Sequence, residues 1–336
     1  MAAALIAIAC FAFFLTKRPA PSSASQHQSA APLSAPVSVK WGGPKNISML
    51  PLTAENQGLF SKHELVATYV DIQTGKKAMD ALRTGDIDLG VLVDSNLAFA
   101  GYEQADDLRV LACIMTKRDD ALLVAKNGFE KPSDLSGQTI GVTLGTTTHA
   151  YLVQWLQANG MKPSAVKLQN MPPPAIQAAL LNGSLKAGCL WQPFRFNVVA
   201  AKPGEFTELK DSKVYTSYVL LVCTKRYLDA PNASATIANF IKALVDAETH
   251  LARNLEPSQG MIAEKLGIPS AVMKQIWPEY DLRVFLNNDV LALLGREGKW
   301  ISESVAEHMN KAVPDYRPFL HPQILRSVDA SRVQDL

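Results

Sequence analysis

Gly141-Val-Thr-Leu-Gly-Thr-Thr-Thr-His-Ala150 joins the end of a β-branched run to the start of an apolar helical pattern, with three consecutive threonines at the junction. Residues 139–142 read as a short strand, and the apolar residues after the histidine recur at helical spacing. A strand that runs through glycine and hydroxyl residues directly into a helix is the repeating unit of an α/β fold. The chemistry of the junction leaves three readings open: a catalytic centre around His149, a ligand cradle, or a plain helix cap. The first amides of a helix have no intrahelical acceptor, and the peptide dipoles concentrate partial positive charge there. Hydroxyls from Thr146, Thr147 and Thr148 beside those amides add donors without adding negative charge. Together with His149 they make an anion-receptive end, to which the dipole contributes about 1–2 kcal/mol when partly buried. A cap needs one hydroxyl, so one threonine is expected to cap and two to reach a ligand.

The same strand-to-helix alternation extends in both directions. Before the junction, strands are expected at residues 37–41, 65–72, 87–93 and 108–115, with helices at 47–59, 76–83 and 97–104. A second series follows, with strands at 121–125, 139–142, 166–169 and 187–191 and helices between them. A long apolar strand at 218–223 ends it. From Pro231 the pattern is almost wholly helical: 232–254, 257–266, 269–277, 287–296 and 299–312. The expected fold class is therefore α/β, with two lobes joined by two extended hinge crossings and a helical C-terminal tail. Residues 37–120 and 218–336 form lobe one, and residues 121–217 form lobe two. The natural site is the cleft between them, where strand-to-helix loops face one another.

Composition narrows the function classes. A net charge of +2 on 336 residues, with no basic run carrying interleaved aromatics, gives no nucleic-acid partner. Cys10, Cys113, Cys189 and Cys223 lie far apart, with no CxxC or histidine pairing to build a metal site. The last three sit in strand-like apolar runs and read as buried free thiols. No metal or cofactor is expected. Between Ser136 and Gly204 there is no Asp or Glu, while Lys162, Lys167, Lys186, Arg195 and Lys202 are present. Such a lobe favours an anionic ligand if the charges face the cleft, and is a solvated basic face if they do not.

At the N-terminus, residues 1–15 are apolar throughout and Thr16-Lys-Arg18 follows. That is the length of a signal-peptide core and short of the about 20 residues a spanning helix needs. Residues 19–36 carry no Lys, Arg, Asp or Glu and are mostly Pro, Ala and Ser, a flexible tether. A signal peptide or anchor at 1–18, then a tether, then a globular body implies an extracytoplasmic location with possible membrane tethering.

Several segments carry a family resemblance. Ala54-Glu-Asn-Gln-Gly-Leu-Phe-Ser-Lys-His-Glu-Leu65, Ala81-Leu-Arg-Thr-Gly-Asp-Ile-Asp-Leu-Gly90 and Lys131-Pro-Ser-Asp-Leu-Ser-Gly137 resemble segments of ABC-transporter substrate-binding proteins. Gly145-Thr-Thr-Thr-His149, Pro173-Pro-Ala-Ile-Gln-Ala-Ala179, Leu190-Trp-Gln-Pro193 and Pro314-Asp-Tyr-Arg-Pro-Phe-Leu-His-Pro322 are similar to the aliphatic-sulfonate, taurine and nitrate branch. The resemblance implies a type II periplasmic-binding fold that closes on a small solute and hands it to a permease and ATPase. On that reading the ligand contacts come from Lys45, Thr74, Gly75, Asp94 and Ser95 in lobe one. Thr146, Thr147, Thr148, His149, Trp191 and Gln192 supply them in lobe two, with Tyr218 at the second crossing. Asp94 departs from the family's small hydroxyl residues. Tyr218 stands where taurine binders are expected to carry an acidic residue.

An enzyme is the competing class. No carboxylate lies near His149 in sequence to orient it, and no Gly-x-Ser-x-Gly elbow or phosphate-binding glycine loop occurs. A related branch makes the thiamine pyrimidine with a cysteine-rich segment, which this chain lacks. The expectation is a binder with no catalytic residue. A pyrimidine or vitamin-precursor binder of the same fold, and a ligand-sensing domain, are the alternatives.

Overall fold

The computed structural model describes residues 36–103, 107–118, 121–129, 131–210 and 215–336. The expected signal or anchor segment, the tether up to residue 35 and Cys10 lie outside the described residues. No helix among the described residues is long and apolar enough to cross a membrane.

The first series runs β1 (Val37–Gly43), α1 (Met49–Asn56), α2 (Leu59–Lys62), β2 (Leu65–Asp71), α3 (Gly75–Thr84), β3 (Leu89–Val93), α4 (Asp94–Tyr102) and β4 (Leu108–Arg118). The second runs β5 (Leu122–Lys126), β6 (Thr139–Val142), α5 (Thr147–Ala158), β7 (Lys167–Asn170), α6 (Pro173–Asn182), β8 (Ala187–Leu190), α7 (Phe194–Ala201) and β9 (Phe206–Leu209). The chain returns through β10 (Thr216–Thr224), α8 (Lys225–Leu228), α9 (Ala233–Arg253), α10 (Leu255–Leu266), α11 (Ser270–Ile276) and β11 (Tyr280–Asp281). It ends in β12 (Leu286–Asn287), α12 (Asn288–Ser304), α13 (Gln323–Val328) and β13 (Val333–Gln334).

Two main sheets result, in the orders β11-β4-β10-β3-β1-β2 and β7-β6-β8-β5-β9. Within them β1, β2 and β3 are parallel, as are β6, β7 and β8, while β10 runs antiparallel to both β3 and β4. The chain leaves the six-stranded sheet after β4 and returns to it in β10. Helices cover the central strands, and β4 reads as a nearly unbroken apolar run for that reason, whereas β2 and β7 at the sheet edges are mostly unburied. The long helix α9 turns Ile237, Phe240, Ile241, Leu244 and Leu251 inward at helical spacing. Phe240 stacks on Phe60 with ring centroids 4.7 Å apart, and wholly buried Trp41 lies 4.4 Å from Tyr69. The three cysteines expected as buried free thiols are free and buried, inside β4, β8 and β10.

Some element boundaries differ from expectation. The expected helix at 47–59 is a 3-10 turn (Lys45–Ile47) followed by α1 and α2, separated at Gly58, whose φ of 64° is left-handed. The expected helix at 97–104 starts earlier, with Asp94 and Ser95 in its first turn rather than in the preceding loop. The expected helices at 287–296 and 299–312 are one helix, α12, which ends at Ser304. Gly298 does not interrupt it. That glycine admits a close neighbour, since a Cβ there would stand 2.8 Å from the Tyr316 hydroxyl oxygen. The Tyr316 hydroxyl in turn donates to the Ala98 carbonyl at 2.8 Å, and a Cβ on Gly101 would lie 2.6 Å from the Tyr316 ring. Two glycines thus let α12, Tyr316 and α4 meet at short range.

Candidate functional site in the interlobe cleft

Parallel strands end where their helices begin, so the carboxyl ends of β1, β2 and β8 bring three turns to one place. A cavity of about 380 Å³ lies among them. Pro44, Lys45 and Asn46 come from the turn after β1, and Asp71, Ile72 and Gln73 from β2 and its end. Gln192, Pro193 and Phe194 follow β8 on the opposite sheet. Leu266, Ile268, Ile276 and Tyr280 of the C-terminal region close one side. The volume suits a small solute, and its walls combine apolar side chains with the polar groups of Lys45, Asn46, Asp71, Gln73 and Gln192.

Lys45 is the cation of this cavity. Its ammonium lies 2.8 Å from Asp71 Oδ2, with both side chains 43% exposed. An exposed pair of this kind is held weakly, so a ligand anion can compete for the lysine. Gln192 is buried, and its Nε2 lies 3.3 and 3.1 Å from the two carboxylate oxygens of Glu279. Arg195, on α7, is 1% exposed; its guanidinium pairs with Glu279 and lies 3.3 Å from Glu208. Glu279 follows α11, so this network ties the turn after β8 to the C-terminal segment packed on the other sheet. Of the five cations between Ser136 and Gly204, Lys162, Lys167 and Lys186 are exposed, Lys202 is half-buried and Arg195 is internal and paired.

The threonine junction lies elsewhere, under α12. Thr147, Thr148 and His149 are buried, and the His149 ring meets Trp300 edge-on at 5.1 Å. No side chain caps α5. The Thr146 hydroxyl donates to the Thr143 carbonyl at 2.7 Å, so in the 2.9 Å contact between Thr146 and Thr148 the latter is the donor. The Thr147 hydroxyl makes no hydrogen bond among the described residues. His149 Nδ1 accepts from the Gly145 amide at 3.3 Å, which places the neutral ring's proton on Nε2. Burial pushes its pKa down to about 4. An imidazole held neutral and packed on an indole is a structural group in this conformation.

Asp94 is wholly buried at the start of α4. It accepts from the amides of Ser95 and Tyr218, each at 2.8 Å, and from the Ser217 hydroxyl at 3.3 Å. It therefore pins β10 to α4, with no oxygen turned to the first cavity. The Tyr215 hydroxyl lies 3.3 Å from Asp94 Oδ1 and 2.7 Å from Oε1 of Glu297, a wholly buried carboxyl on α12. Burial raises the Asp94 pKa to about 6, against opposing hydrogen bonds and the Lys117 charge. Burial and the neighbouring Asp94 push Glu297 well above the usual carboxylate range.

The remaining expected site residues are spread out. Thr74 caps α3 by accepting from the Lys77 amide at 3.3 Å. Gly75 abuts α4, where a Cβ would collide with the Asn96 side-chain oxygen, itself held by the Val93 amide. Ser95 is buried, and its hydroxyl has no hydrogen-bond partner among the described residues. Trp191 is half-buried at the end of β8. Tyr218 lines a second cavity, of about 420 Å³, on the β4–β10–β11 side. Only Lys45 and Gln192 of the twelve line the first cavity. Sequence reasoning missed Asp71 and Gln73, although the strand-end rule that selected Lys45 and Thr74 covers them as well. It missed Glu279, Glu297 and Trp300 because they arrive from the helical tail, far away along the chain.

Comparison with known proteins places this arrangement in a family. The taurine-binding periplasmic protein of Escherichia coli strain K12 is 30% identical over 175 residues. That alignment covers 52% of this chain and 54% of the relative, so the chain spans about half the length of that protein. The crystal structure of the periplasmic aliphatic sulphonate binding protein SsuA from Escherichia coli superimposes with a TM-score of 0.75 at 20% identity. It covers 84% of this chain and 97% of its own. The desulfurization enzyme DSZB shares the fold at a TM-score of 0.63 and 15% identity, covering 88% of this chain and 99% of its own. The fold is thus the two-lobe periplasmic-binding type, which serves binding proteins and at least one enzyme. A profile of the NMT1-like family matches residues 34–263, and the chain belongs to that family.

Proposed function

We propose that the protein is the extracytoplasmic solute-binding component of an ABC importer, and that it captures a small anionic solute in the interlobe cleft. One observation carries this reading: the 380 Å³ cavity between the two sheets presents Lys45 as a half-exposed, weakly held cation among apolar and polar side chains. The sulfonate class fits best, because the taurine- and sulphonate-binding relatives bear those ligands in their names. A permease and an ATPase would be the partners.

Enzymatic use of the fold finds little support in this chain's own groups. The thiols of Cys113 and Cys189 are pushed far up by burial and that of Cys223 to about 12, so none supplies a thiolate nucleophile at neutral pH.

The test is a thermal-shift and calorimetric screen of alkanesulfonates, taurine, nitrate and short carboxylates. Saturable stabilisation without turnover is the expected result, and turnover of any of them overturns the binder reading. In the same assay Lys45→Ala weakens the best anion by about 10-fold, the worth of one charge-assisted hydrogen bond of roughly 1.5 kcal/mol. Asp71→Asn acts in the opposite direction, because it frees Lys45 from its internal partner. Equal affinities in both variants would move the ligand away from this cavity.

A further inference from the structure

The second cavity, about 420 Å³, stands where both crossings leave the six-stranded sheet. Thr116 and Arg118 come from the end of β4, Thr216 and Tyr218 from the start of β10, and these strands pair in register there. The C-terminal region completes it with Arg283, Phe285, Asn287, Asp289 and Arg332, and Tyr218 and Phe285 form an edge-on aromatic wall at 6.2 Å.

Its charges are nearly all spoken for. Arg283 is bidentate on Asp281, with its Nε 2.9 Å from each carboxylate oxygen. Arg332 is held by Glu248 at 2.7 Å and Asp329 at 3.1 Å. Two groups of opposite sign are left over. Arg118 is exposed and has no ion pair or hydrogen bond among the described residues. Asp289 accepts one hydrogen bond, from Asn287 Nδ2 at 3.0 Å, and meets no cation among the described residues. A third group is unsatisfied: Asn287 Oδ1 is buried with no donor. It sits at the N-cap of α12, where a side-chain oxygen ordinarily accepts an amide hydrogen, but caps nothing. A buried acceptor without a donor costs free energy until something supplies an N–H.

We propose that this cavity is a second binding site, separate from the cleft site, for a small zwitterion. Its carboxylate or other oxyanion head pairs with Arg118, and the Thr116 and Thr216 hydroxyls flank it. Its ammonium pairs with Asp289, beside the unsatisfied Asn287 Oδ1. A ligand with only one of the two charges leaves the other group unpaired and gains correspondingly less. The occupied site bridges β4, β10 and the C-terminal segment.

The experiment titrates the full chain with glycine, β-alanine and 4-aminobutyrate, which space the same two charges at increasing lengths, followed by calorimetry and amide chemical shifts. Propionate and ethylamine serve as single-charge controls. At least one zwitterion is expected to bind saturably to the wild type and to Lys45→Ala with the same affinity. Arg118→Ala and Asp289→Asn, both at exposed positions, each weaken it at least 10-fold, and neither control saturates. No saturable zwitterion binding to the wild type overturns the proposal. So does binding that survives Arg118→Ala and Asp289→Asn, or that is lost in Lys45→Ala, which would put the zwitterion in the cleft and leave the importer reading intact.

Discussion

Glu279→Ala is expected to lower stability by about 3 kcal/mol, toward the low end for breaking a buried ion pair by removing one partner. Arg195 is 1% exposed, so the substitution takes the Glu279 carboxylate away from a guanidinium inside the protein, where Glu208 lies 3.3 Å away. Gln192 Nε2 loses its acceptor in the same step. At the few degrees per kcal/mol typical of chains this long, the melting temperature should fall by at least about 6 °C. The double variant Arg195→Met with Glu279→Leu should recover most of the loss, because apolar replacement of a buried pair is often nearly neutral. A single variant within about 0.5 kcal/mol of wild type in denaturant titrations would show that the network contributes nothing net. The same variants matter for the cleft, since the turn bearing Gln192 and Pro193 walls the first cavity and is held to the opposite sheet by Glu279. Small-angle scattering should find Glu279→Ala more expanded than wild type in the absence of solute.

The second large effect is in pH dependence, where two buried groups act in opposite directions. The Asp94 pKa rises from the ordinary 3.8 to about 6, so the folded chain holds this proton more tightly than the unfolded chain. Its contribution to stability is therefore full below about pH 4 and is lost as pH rises through 6, up to about 3 kcal/mol. Glu297, raised for the same reason, pushes the same way. His149 falls from 6.5 to about 4, so its contribution is full above pH 6.5 and is lost as pH falls toward 4, again up to about 3 kcal/mol. Between pH 4 and 6 Asp94 and Glu297 thus oppose His149. Relative to wild type, Asp94→Asn should gain stability as pH rises through this window, with a constant offset for the misplaced amide facing the Tyr218 N–H. His149→Gln should lose stability over the same interval. Urea unfolding of the three proteins at half-unit steps from pH 4 to 7 reads both slopes, and profiles parallel to wild type would contradict the assignment.

Much of the fold was legible because it is written locally. The strand at Thr139–Val142 has its expected bounds, and β2, β4 and β10 lie within a few residues of theirs. The apolar runs of β4, β6 and β10 are largely buried on both faces, and β2, though mostly unburied at the sheet edge, is bounded by turn residues. What failed depended on neighbours distant in sequence. Gly298 reads as a helix interruption until Tyr316 is placed against it. Asp94 reads as a cleft residue until the β10 amide of Tyr218 is brought to it from more than a hundred positions away. The site was less legible for the same reason. The strand-end rule located Lys45, but the threonine junction is covered by α12, and nothing near Thr146 in sequence announces Trp300 as its lid. The Lys45–Asp71 pair was within reach of that rule, whereas the Arg195–Glu279 link was not.

The two crossings leave the six-stranded sheet side by side, because β4 and β10 are neighbours and Arg118 faces Thr216 across the ladder. Adjacent strands stand only about 4.8 Å apart, so the chain leaves the six-stranded sheet and re-enters it one strand pitch apart. Such an arrangement works as a door on a single narrow pivot. Rotation about it strains few backbone bonds, while groups far from the pivot travel furthest. Glu279 with Arg195, and Trp300 with His149, are contacts that bridge the two sides of that pivot. The pivot supplies the freedom to move and leaves the resting position to a few side chains, so point substitutions at those side chains can reset the gap between the halves without touching the strands that connect them.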